Sequence, residues 1–385
     1  METSLRRTWA EINLDNLAHN FNVIRHQVGS DTKLLGVVKA NAYGHGAVRV
    51  AKKLEELGAA YLAVSNIDEC AELREAGIQL PVLMLGYTPP EQGERIVHLG
   101  MTQCVPNLEI ARAYDAAAER AGKPMRVHIK LDTGMGRLGF PCDDMHFDGS
   151  LQDIRAVLEL PHLDIEGVFT HFAVSDEDAP EHVAFTNVQH ERFLRMIDAV
   201  EQDGFRFRLK HCCNAGGIAT YPAWAADMVR CGIILYGTGE LAERMGMKPV
   251  MTFKTTVAAV RDFAPETSIS YGRTYFTQRP ERIAVLSAGY ADGLHRALSN
   301  QLEVRTPYGT ARQVGRICMD MCMIDATDQP ELKPGDEVEL FGEHQLCETA
   351  AMQCGTISYE LLCAVSRRVP RHYLEKNGEK CQKGD

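Results

Sequence analysis

The feature that most constrains the fold is an alternation of short apolar runs and amphipathic stretches, repeated about every 20 residues through the first two thirds of the chain. Four of the amphipathic stretches stop at a glycine, and an apolar run follows each of them: Gly58, Gly77, Gly100 and Gly122. A glycine just past a helix end is typical of the left-handed cap that terminates helices. The pattern therefore predicts a series of βα units.

Eight apolar runs are strand candidates: residues 34–38, 61–64, 81–85, 103–105, 127–131, 165–172, 209–213 and 228–236. Eight such strands in series favour an α/β fold with a closed (β/α)8 barrel of the TIM type over an open sheet. Catalytic residues of these barrels lie at the carboxyl ends of the strands. Five polar residues fall at or just after those ends: Lys39, Arg137, His171, Asn214 and Arg230.

The pattern changes near residues 240–248. From Met251 on, short β-rich runs follow one another between turn sequences such as ADG, TPYG and KPGD, and helical patterns nearly vanish. Such a segment is typical of a mostly antiparallel β domain. A chain of 385 residues is also too long for one typical core. We therefore predict a barrel over residues 12–243 and a C-terminal β domain over residues 244–385, with which residues 1–11 pack.

The composition narrows the classes of partner. A net charge of −11 argues against nucleic acid or an anionic membrane. The chain has no apolar run of about 18 residues that could span a membrane, and its first residues lack the apolar core of a signal peptide. Its twelve cysteines include no C-x-x-C pair, which predicts free thiols in a reducing cytoplasm and no metal site.

Lys39 stands directly after the apolar run LLGVV and before a short loop rich in Asn, Tyr, Gly and His. A lysine at the end of a strand is usually a surface residue. A lysine held in a partly desolvated pocket instead has a lowered pKa and can attack a carbonyl carbon to form a Schiff base. Taken alone, the residue leaves both interpretations open.

Eight short motifs occur in order along nearly the whole chain: VVKANAYGHG, LDTGMGRLGF, THFA, VRCGIILYG, SYGRTY, GYADG, GRICMD and TISYE. In this order and spacing they resemble the motifs of bacterial alanine racemases. The resemblance implies an isomerase that depends on pyridoxal 5′-phosphate (PLP) and converts L-alanine to D-alanine for peptidoglycan. It also implies a barrel followed by a β domain.

The resemblance further implies a two-base mechanism. Lys39 resembles the lysine that binds PLP and moves the Cα proton on one face of the substrate. Tyr271 resembles the second base, which comes from the partner subunit of a homodimer with shared active sites. A tyrosine has an ordinary pKa near 10, so donors must stabilise its phenolate. His171 and Arg230 resemble those donors.

Arg230 also resembles the arginine that faces the pyridine nitrogen of PLP and, as a donor that keeps its proton, leaves that nitrogen unprotonated. The remaining cofactor contacts implied by the resemblance come from hydroxyls and backbone N–H groups: Tyr43, Asn214, Ala215, Gly232, Ile233 and Tyr359. The family usually has a serine where this chain has Ala215. One hydroxyl contact is then missing, which costs about 1.5–3 kcal/mol at most.

The resemblance implies that Arg137 and the Met319 N–H clamp the substrate carboxylate, since arginine suits planar carboxylate recognition. Asp320 is expected to anchor its loop. Lys130 matches a lysine that part of the family carbamylates; the alternative is an ion pair. Tyr290, Arg296 and Arg316 match residues that line the substrate entrance, and Tyr359 crowds the pocket where the substrate side chain lies.

Three alternatives to an alanine racemase remain. A serine or broad-specificity racemase of the same family differs in the pocket next to Tyr359. A non-catalytic PLP carrier would resemble the barrel alone, whereas this chain also has Tyr271 and Met319 in its β domain. A decarboxylase would place an acidic residue against the pyridine nitrogen, which disfavours that function for a chain with Arg230.

Overall fold

The computed structural model describes residues 7–376, which form two compact units. The barrel unit comprises Phe21–Ala42 and Ala47–Leu235. The β unit comprises, of the described residues, 7–20, 43–46 and 236–376. The boundary at residues 243 and 244 stays a prediction. The parts of the domain prediction that concern residues 1–6 and 377–385 lie outside the described residues.

Strand β1 (Thr8–Asn13) is followed by helix α1 (Leu14–Val28). The strands of the barrel unit are β2 (Lys33–Val37), β3 (Tyr61–Val64), β4 (Val82–Met84), β5 (Met101–Val105), β6 (Met125–Asp132), β7 (Phe140–Pro141), β8 (Leu163–Phe169), β9 (Leu209–His211) and β10 (Met228–Cys231).

Eight of these strands form one parallel sheet in the order β10-β2-β3-β4-β5-β6-β8-β9, and the short β7 pairs with β6. Two backbone bonds join the ends of this order. Asp227 N–H donates to the Lys210 carbonyl at 3.1 Å, and Arg230 N–H donates to the Cys213 carbonyl at 3.0 Å. Together with the helices between the strands, this confirms the predicted (β/α)8 barrel.

The helices of this region are the single turn α2 (Lys39–Tyr43), α3 (Ala47–Glu56), α4 (Ile67–Glu75), α5 (Gly93–His98), α6 (Leu108–Ala121), α7 (Phe147–Leu158), α8 (Pro180–Gln202) and α9 (Ala215–Thr220). Asn107 caps α6 by accepting the Ile110 N–H at 2.8 Å. The four glycines predicted to end α3 to α6 all have positive φ, and Gly122 is the left-handed C-cap of α6.

Three predicted strand runs were too long. The runs at 165–172, 209–213 and 228–236 end as strands at Phe169, His211 and Cys231. The last run continues as the 3-10 helix Ile233–Tyr236. Most residues of these runs beyond the strand ends, such as Phe172, Cys212, Cys213 and Ile233, are apolar because they are buried, not because they belong to a strand.

The β unit contains one sheet of eight strands, β1 and seven others, and a separate two-stranded sheet formed by β12 and β13. The strands after β10 are β11 (Met251–Phe263), β12 (Ser268–Ile269), β13 (Tyr275–Phe276), β14 (Glu281–Leu286), β15 (Glu303–Thr306), β16 (Gly309–Arg312), β17 (Cys322–Asp325), β18 (Glu337–Phe341) and β19 (Arg371–Leu374). The main order is β16-β15-β18-β11-β1-β19, and β14 pairs with β11 and β17. All pairs except β1–β19 are antiparallel, which confirms the predicted sheet type.

Helices are few after Met251, in keeping with the expectation that they nearly vanish there: the structure has two, of eight and seven residues, among the described residues. They are α11 (Cys347–Cys354) and α12 (Ser358–Ala364), and the short helix α10 (Glu240–Arg244) of the same unit precedes Met251. The 3-10 segments in the described chain are Pro90–Gln92, Pro222–Trp224, Ile233–Tyr236, Tyr271–Arg273, Tyr290–Asp292 and Arg296–Leu298. Among residues 7–376, no helix has the length and apolar character needed to cross a membrane.

Gly122 and Gly149 provide a matched test of the glycine stops. A Cβ on either residue would have open space around it, and both are exposed, but only Gly122 has a positive φ, of 66°. We expect Gly122→Ala to destabilise the fold by about 1–2 kcal/mol through backbone strain. Gly149→Ala, inside helix α7, should stabilise it by about 0.5–1 kcal/mol. The midpoint of urea unfolding measures both effects. Equal changes of the midpoint in the two variants would contradict the assignment of Gly122 as a left-handed cap.

Candidate active site

Lys39 begins a strained turn at the carboxyl end of strand β2. The four residues after it, Ala40 to Tyr43, all have φ between 51° and 54°, so the turn α2 is left-handed. Non-glycine residues pay roughly 1–2 kcal/mol each for this conformation. Side chains hold the turn in place: Glu69 accepts the Ala40 N–H at 2.7 Å, and Asn41 accepts the Ala47 N–H at 2.8 Å. Strain of this kind is concentrated at functional sites.

Arg230 lies in strand β10 and is 3% exposed. One terminal nitrogen donates to His211 Nδ1 at 3.1 Å and to the His211 carbonyl at 3.0 Å. The other donates to the Cys212 carbonyl at 2.9 Å and to His171 Nδ1 at 3.4 Å. A guanidinium has five N–H donors. Its Nε–H is the donor that bonds to none of residues 7–376.

Burial lowers the pKa of Arg230 to about 10, so the side chain is still a cation at neutral pH. Burial, followed by the charges of Arg230 and Lys130, lowers the pKa of His171 well below its usual range. His171 is therefore neutral. Because its Nδ1 accepts from a donor-only guanidinium, its proton is on Nε2. His171 thus offers one neutral N–H donor.

Lys130 is a second buried cation, in strand β6. It is 4% exposed, its Nζ donates to the Leu131 carbonyl at 3.2 Å, and it lies 4.9 Å from the centre of the Phe169 ring. Within the described residues no carboxylate forms an ion pair with Lys130. Burial, followed by the charge of Arg230, lowers its pKa to about 7. The ion pair considered as the alternative to a modified lysine is therefore not formed.

Arg137 lies on the loop that follows β6, and Asp132 shapes that loop. The Asp132 carboxylate accepts the N–H groups of Gly134, Gly136 and Arg137, each at 3.0 Å. Gly139 has a φ of 124°, and a Cβ there would lie 2.7 Å from backbone atoms of β6. The loop is thus fixed, while the Arg137 side chain is exposed and bonds to nothing in residues 7–376.

Two neighbouring strand ends bring four predicted cofactor residues into adjacent loops. Asn214 and Ala215 follow β9, and Gly232 and Ile233 follow β10. Asn214 caps α9 by accepting the Gly217 N–H at 3.1 Å. Backbone N–H groups at such strand ends suit a phosphate.

Tyr43 lies in the β unit beside Tyr236 and Tyr359, with ring centres 5.1 and 6.2 Å away. Tyr43 is buried, whereas Tyr359, at the start of α12, is 37% exposed. Burial, with a smaller effect of Tyr359, raises the pKa of Tyr43 above its ordinary value. The Tyr43 hydroxyl is therefore a neutral donor, and Tyr359 lies next to it.

Tyr271 and Met319 line one pocket of about 600 Å³ in the β unit, together with Asp320 and Met321. Tyr271 is 72% exposed and Met319 is 54% exposed. The Met319 N–H donates to no residue in the part of the chain described. A phenol and an unpaired backbone donor therefore share this surface.

The loop that carries Met319 is held from behind. Asp320 pairs with Arg368 at 2.8 Å, and Arg7 donates to the Asp320 carbonyl at 2.8 Å. Tyr290 N–H donates to the Cys318 carbonyl at 3.0 Å, which ties the GYADG and GRICMD segments together. Asp320 therefore anchors the loop, as expected.

The two entrance arginines belong to neighbouring segments of the same unit. Arg316 lies across Gly272, where a Cβ would be 3.2 Å from its guanidinium carbon. The Arg296 carbonyl accepts from the Ser299 hydroxyl, which in turn accepts the Ile317 N–H at 3.0 Å. The β unit thus groups Tyr271, Tyr290, Arg296, Arg316 and Met319.

The barrel unit groups Lys130, Arg137, His171 and Arg230, and the field of Lys39 also reaches His171. Positive charge therefore dominates this group, and its Arg230 Nε–H and His171 Nε2–H still lack acceptors within residues 7–376. Such a donor set fits an anionic ligand with one ring acceptor, which suits PLP and an amino-acid carboxylate.

The sequence interpretation missed His128, Glu166 and His211, which successive hydrogen bonds link to Arg230. A signal was present, since each is a polar residue inside an apolar strand pattern: VHIKL, DIEGV and LKHCC. Nothing in the sequence alone pairs them.

Two family models match the chain. "Alanine racemase, N-terminal domain" matches residues 12–240, and "Alanine racemase, C-terminal domain" matches residues 250–373. Alanine racemase 2 of Caldanaerobacter subterraneus is 42% identical over 381 residues, which cover 97% of this chain and 96% of the relative.

Solved structures agree. The structure of the alanine racemase of Clostridium difficile 630 is 41% identical in sequence to this chain and superposes with a TM-score of 0.91. The match covers 98% of each of the two chains. A structure of the Clostridium difficile 630 enzyme in complex with cycloserine is 40% identical, with a TM-score of 0.89 and the same coverage of both chains.

Lys130 predicts a pH dependence of stability. Its pKa is about 7 in the fold and about 10.5 as an ordinary lysine, so the unfolded chain binds the extra proton between these values. Stability should therefore rise with pH through this window, by about 2 kcal/mol between about pH 7 and pH 9. Urea unfolding in CO₂-free buffer measures it.

Lys130→Met should remove this rise, whereas Lys123→Met, which removes an exposed lysine, should keep it. A rise that Lys130→Met shares with the unchanged protein would contradict a lowered pKa at Lys130.

Proposed function

The chain belongs to the alanine racemase family of enzymes, and from that premise we propose that it interconverts L-alanine and D-alanine by a two-base mechanism with PLP as its cofactor. The observation that carries the proposal is the buried Arg230, whose guanidinium has four N–H groups bonded within the barrel and keeps Nε–H for a single acceptor. When bound, PLP supplies an electron sink for a carbanion at the substrate Cα.

Arg230 would donate Nε–H to the ring nitrogen of the cofactor. Because the guanidinium is a donor only and stays charged at neutral pH, it cannot transfer its proton readily. The ring nitrogen then stays unprotonated, which weakens the electron sink. This favours proton exchange at Cα over side reactions, and an acidic residue in the same place would favour decarboxylation.

The phosphate group would be held by backbone N–H groups of Asn214, Ala215, Gly232 and Ile233, with the hydroxyls of Tyr43 and Tyr359. The capped turn at Asn214 supports the backbone part. The raised pKa of Tyr43 supports a protonated hydroxyl that donates. Ala215 supplies no hydroxyl, so its contribution is limited to the backbone.

Lys39 is the proposed base on one face of the substrate and the covalent anchor of the cofactor. The partner subunit's Tyr271 is the proposed base on the other face. One removes the Cα proton and the other returns a proton from the opposite side, which inverts the stereocentre. The neutral Nε2–H of His171, held by Arg230, is a suitable donor for a phenolate.

The substrate carboxylate would be bound by Arg137 and by the Met319 N–H of the partner subunit. The fixed loop and unbonded guanidinium of Arg137 support this role, as does the unpaired Met319 N–H. We also propose that Lys130 is carbamylated: its amine has a pKa of about 7 and is buried among cations, and a carbamate would replace one positive charge with a negative one.

Tyr290, Arg296 and Arg316 would line the entrance, where the two arginines attract an anionic amino acid. Tyr359, which lies edge-on to Tyr43 with ring centres 6.2 Å apart, would crowd the pocket for the substrate side chain and admit a methyl group. The alternative is a serine or broad-specificity racemase, and the ratio of turnover with L-alanine to turnover with L-serine separates the two.

We further propose a cytoplasmic homodimer that supplies D-alanine to peptidoglycan. The cysteines within residues 7–376 are free thiols, which suits a reducing compartment. The exposure of Tyr271 and Met319 suits residues that complete a partner's site.

Tyr271→Phe tests the second base. General acid–base groups contribute about 10²–10⁴-fold, so we expect racemisation to fall by about that factor. The absorbance of bound cofactor should stay unchanged, because the hydroxyl is not a proposed cofactor contact. Tyr308→Phe, another exposed tyrosine of the β unit, is the control and should racemise normally. Undiminished racemisation by Tyr271→Phe would exclude the tyrosine as a base.

Mixing two inactive variants tests the shared sites. Subunits with Lys39→Ala and subunits with Tyr271→Phe are unfolded together and reassembled. If each site combines residues of both subunits, half of the dimers are mixed and each has one intact site, so about a quarter of full activity returns. If each site lies within one subunit, the mixture stays inactive, and activity of the separate variants sets the background.

A further inference from the structure

A row of hydrogen-bonded side chains runs through the interior of the barrel unit from Arg230 toward the amino-terminal ends of the strands. Arg230 bonds to His211 Nδ1 at 3.1 Å, and His211 Nε2 lies 2.9 Å from His128 Nδ1. His128 Nε2 lies 3.0 Å from the Glu166 carboxylate. His128, His211 and Arg230 are buried, and the proposed function gives no role to His128, His211 or Glu166.

The donor of every bond in this row is determined. A guanidinium only donates, so His211 Nδ1 accepts and its proton is on Nε2. His211 Nε2–H therefore donates to His128 Nδ1, and the His128 proton is on Nε2 as well. His128 Nε2–H then donates to Glu166. All three bonds point the same way, from the cation of Arg230 to a carboxylate.

Neutral imidazoles are required for this pattern, and burial provides them. Burial, with the neighbouring charges of Arg230 and Lys130, lowers the pKa of His211 well below its usual range. Burial also lowers the pKa of His128, although its bond to Glu166 opposes this. Each ring therefore has one donor and one acceptor nitrogen.

Glu166 is held as a carboxylate at the end of the row. Burial opposes its ionisation, but hydrogen bonds from His128 and Tyr61 hold its pKa below the usual range. The Tyr61 hydroxyl donates to the same oxygen that accepts from His128, and Arg126 lies 3.7 Å from the other oxygen. The row thus ends on an ionised, partly buried anion.

The backbone is adapted to the bond between Glu166 and His128. The register of β6 and β8 shifts between Val127 and His128, so that His128 pairs with Gly167 and Glu166 is the additional residue of a bulge. Bulges redirect side chains near active sites. A Cβ on Gly167 would lie 2.9 Å from two atoms of the His128 ring, so only a glycine leaves room for it.

Phe169 fixes the other ring of the row. Its ring stacks on His211 with centres 4.9 Å apart and planes 3° from parallel. His211 can therefore rotate little, and its two nitrogens stay directed at Arg230 and His128.

We propose that Glu166 is a positioning residue for Arg230: the guanidinium at one end of the row and the carboxylate at the other favour the same tautomers of His128 and His211, so the carboxylate maintains the bonds that orient the guanidinium. Without the carboxylate, His128 could carry its proton on Nδ1, where it would face the His211 Nε2–H, donor against donor, and the bond that supports His211 against Arg230 would be lost. Only the expected effect of Glu166 on racemisation rests on the proposed function; the expected tautomers and the orientation of Arg230 do not.

Histidine tautomers test the row directly and without activity. In the purified protein labelled with ¹⁵N-histidine, His128 and His211 should both be neutral and protonated on Nε2, with signals identified from His128→Gln and His211→Gln. A proton on Nδ1 of either ring would overturn the row.

Glu166→Gln removes the charge but keeps the shape. We expect the ¹⁵N signals of His128, His211 and the Arg230 guanidinium all to move. Asp164→Asn is the matched control, since Asp164 lies on the same strand, also pairs with Arg126 at 3.5 Å and takes no part in the row. Arg230 signals that stay in place in Glu166→Gln would overturn the positioning role.

Racemisation gives the kinetic readout. At metal sites, loss of a carboxylate that orients a histidine lowers metal affinity or activity about 10–100-fold. By analogy, we expect Glu166→Gln to lower kcat about 10-fold, with little change in KM for alanine. Asp164→Asn should match the unchanged protein, and equal kcat values for both variants would overturn the role in the reaction. If the protein without any substitution had no racemase activity, the proposed function would be refuted. The NMR experiment would still show whether the hydrogen-bonded row from Arg230 to Glu166 exists.

Discussion

The buried charge of Arg230 is the constraint on which the barrel interior depends. Removing a guanidinium from water is costly unless its donors are satisfied. Two backbone carbonyls and two imidazole nitrogens provide the acceptors here. Because an imidazole can accept only on an unprotonated nitrogen, the charge also decides where the protons of His171 and His211 lie. Arg230 thus determines which nitrogen is the donor in each of the two histidines that it contacts.

The same region carries more positive charge than it neutralises. Lys130 and Arg230 are buried, and the Asp132 carboxylate is already occupied by three backbone N–H groups of the Arg137 loop. Burial first, and then repulsion among these cations, lowers the pKa of Lys130 and of His171. Anything anionic that binds here relieves that repulsion, so the affinity for anions is a property of the fold rather than of one residue.

The sequence predicted the features that depend on local signals. The glycine stops and the apolar runs are local, and both were confirmed in α3 to α6 and in the barrel strands. The left-handed turn after Lys39 could not be predicted, because Ala, Asn and Tyr rarely adopt positive φ in succession. The row from Arg230 to Glu166 depends on a register shift between two strands, which is set by packing and not by either strand's own residues.

The β unit shows why a single chain is an incomplete enzyme under the proposed mechanism. Tyr271 is largely exposed, and a phenol surrounded by water lacks the positioned donors that stabilise a phenolate for use as a base. The loops behind it are nevertheless rigid, because Arg7 and Arg368 hold Asp320. A rigid but solvated catalytic group needs a covering surface that excludes water and supplies donors. The neutral, singly protonated His171 of a partner subunit's barrel has the chemistry for this, so the orientation of Arg230 bears on both halves of the proposed site.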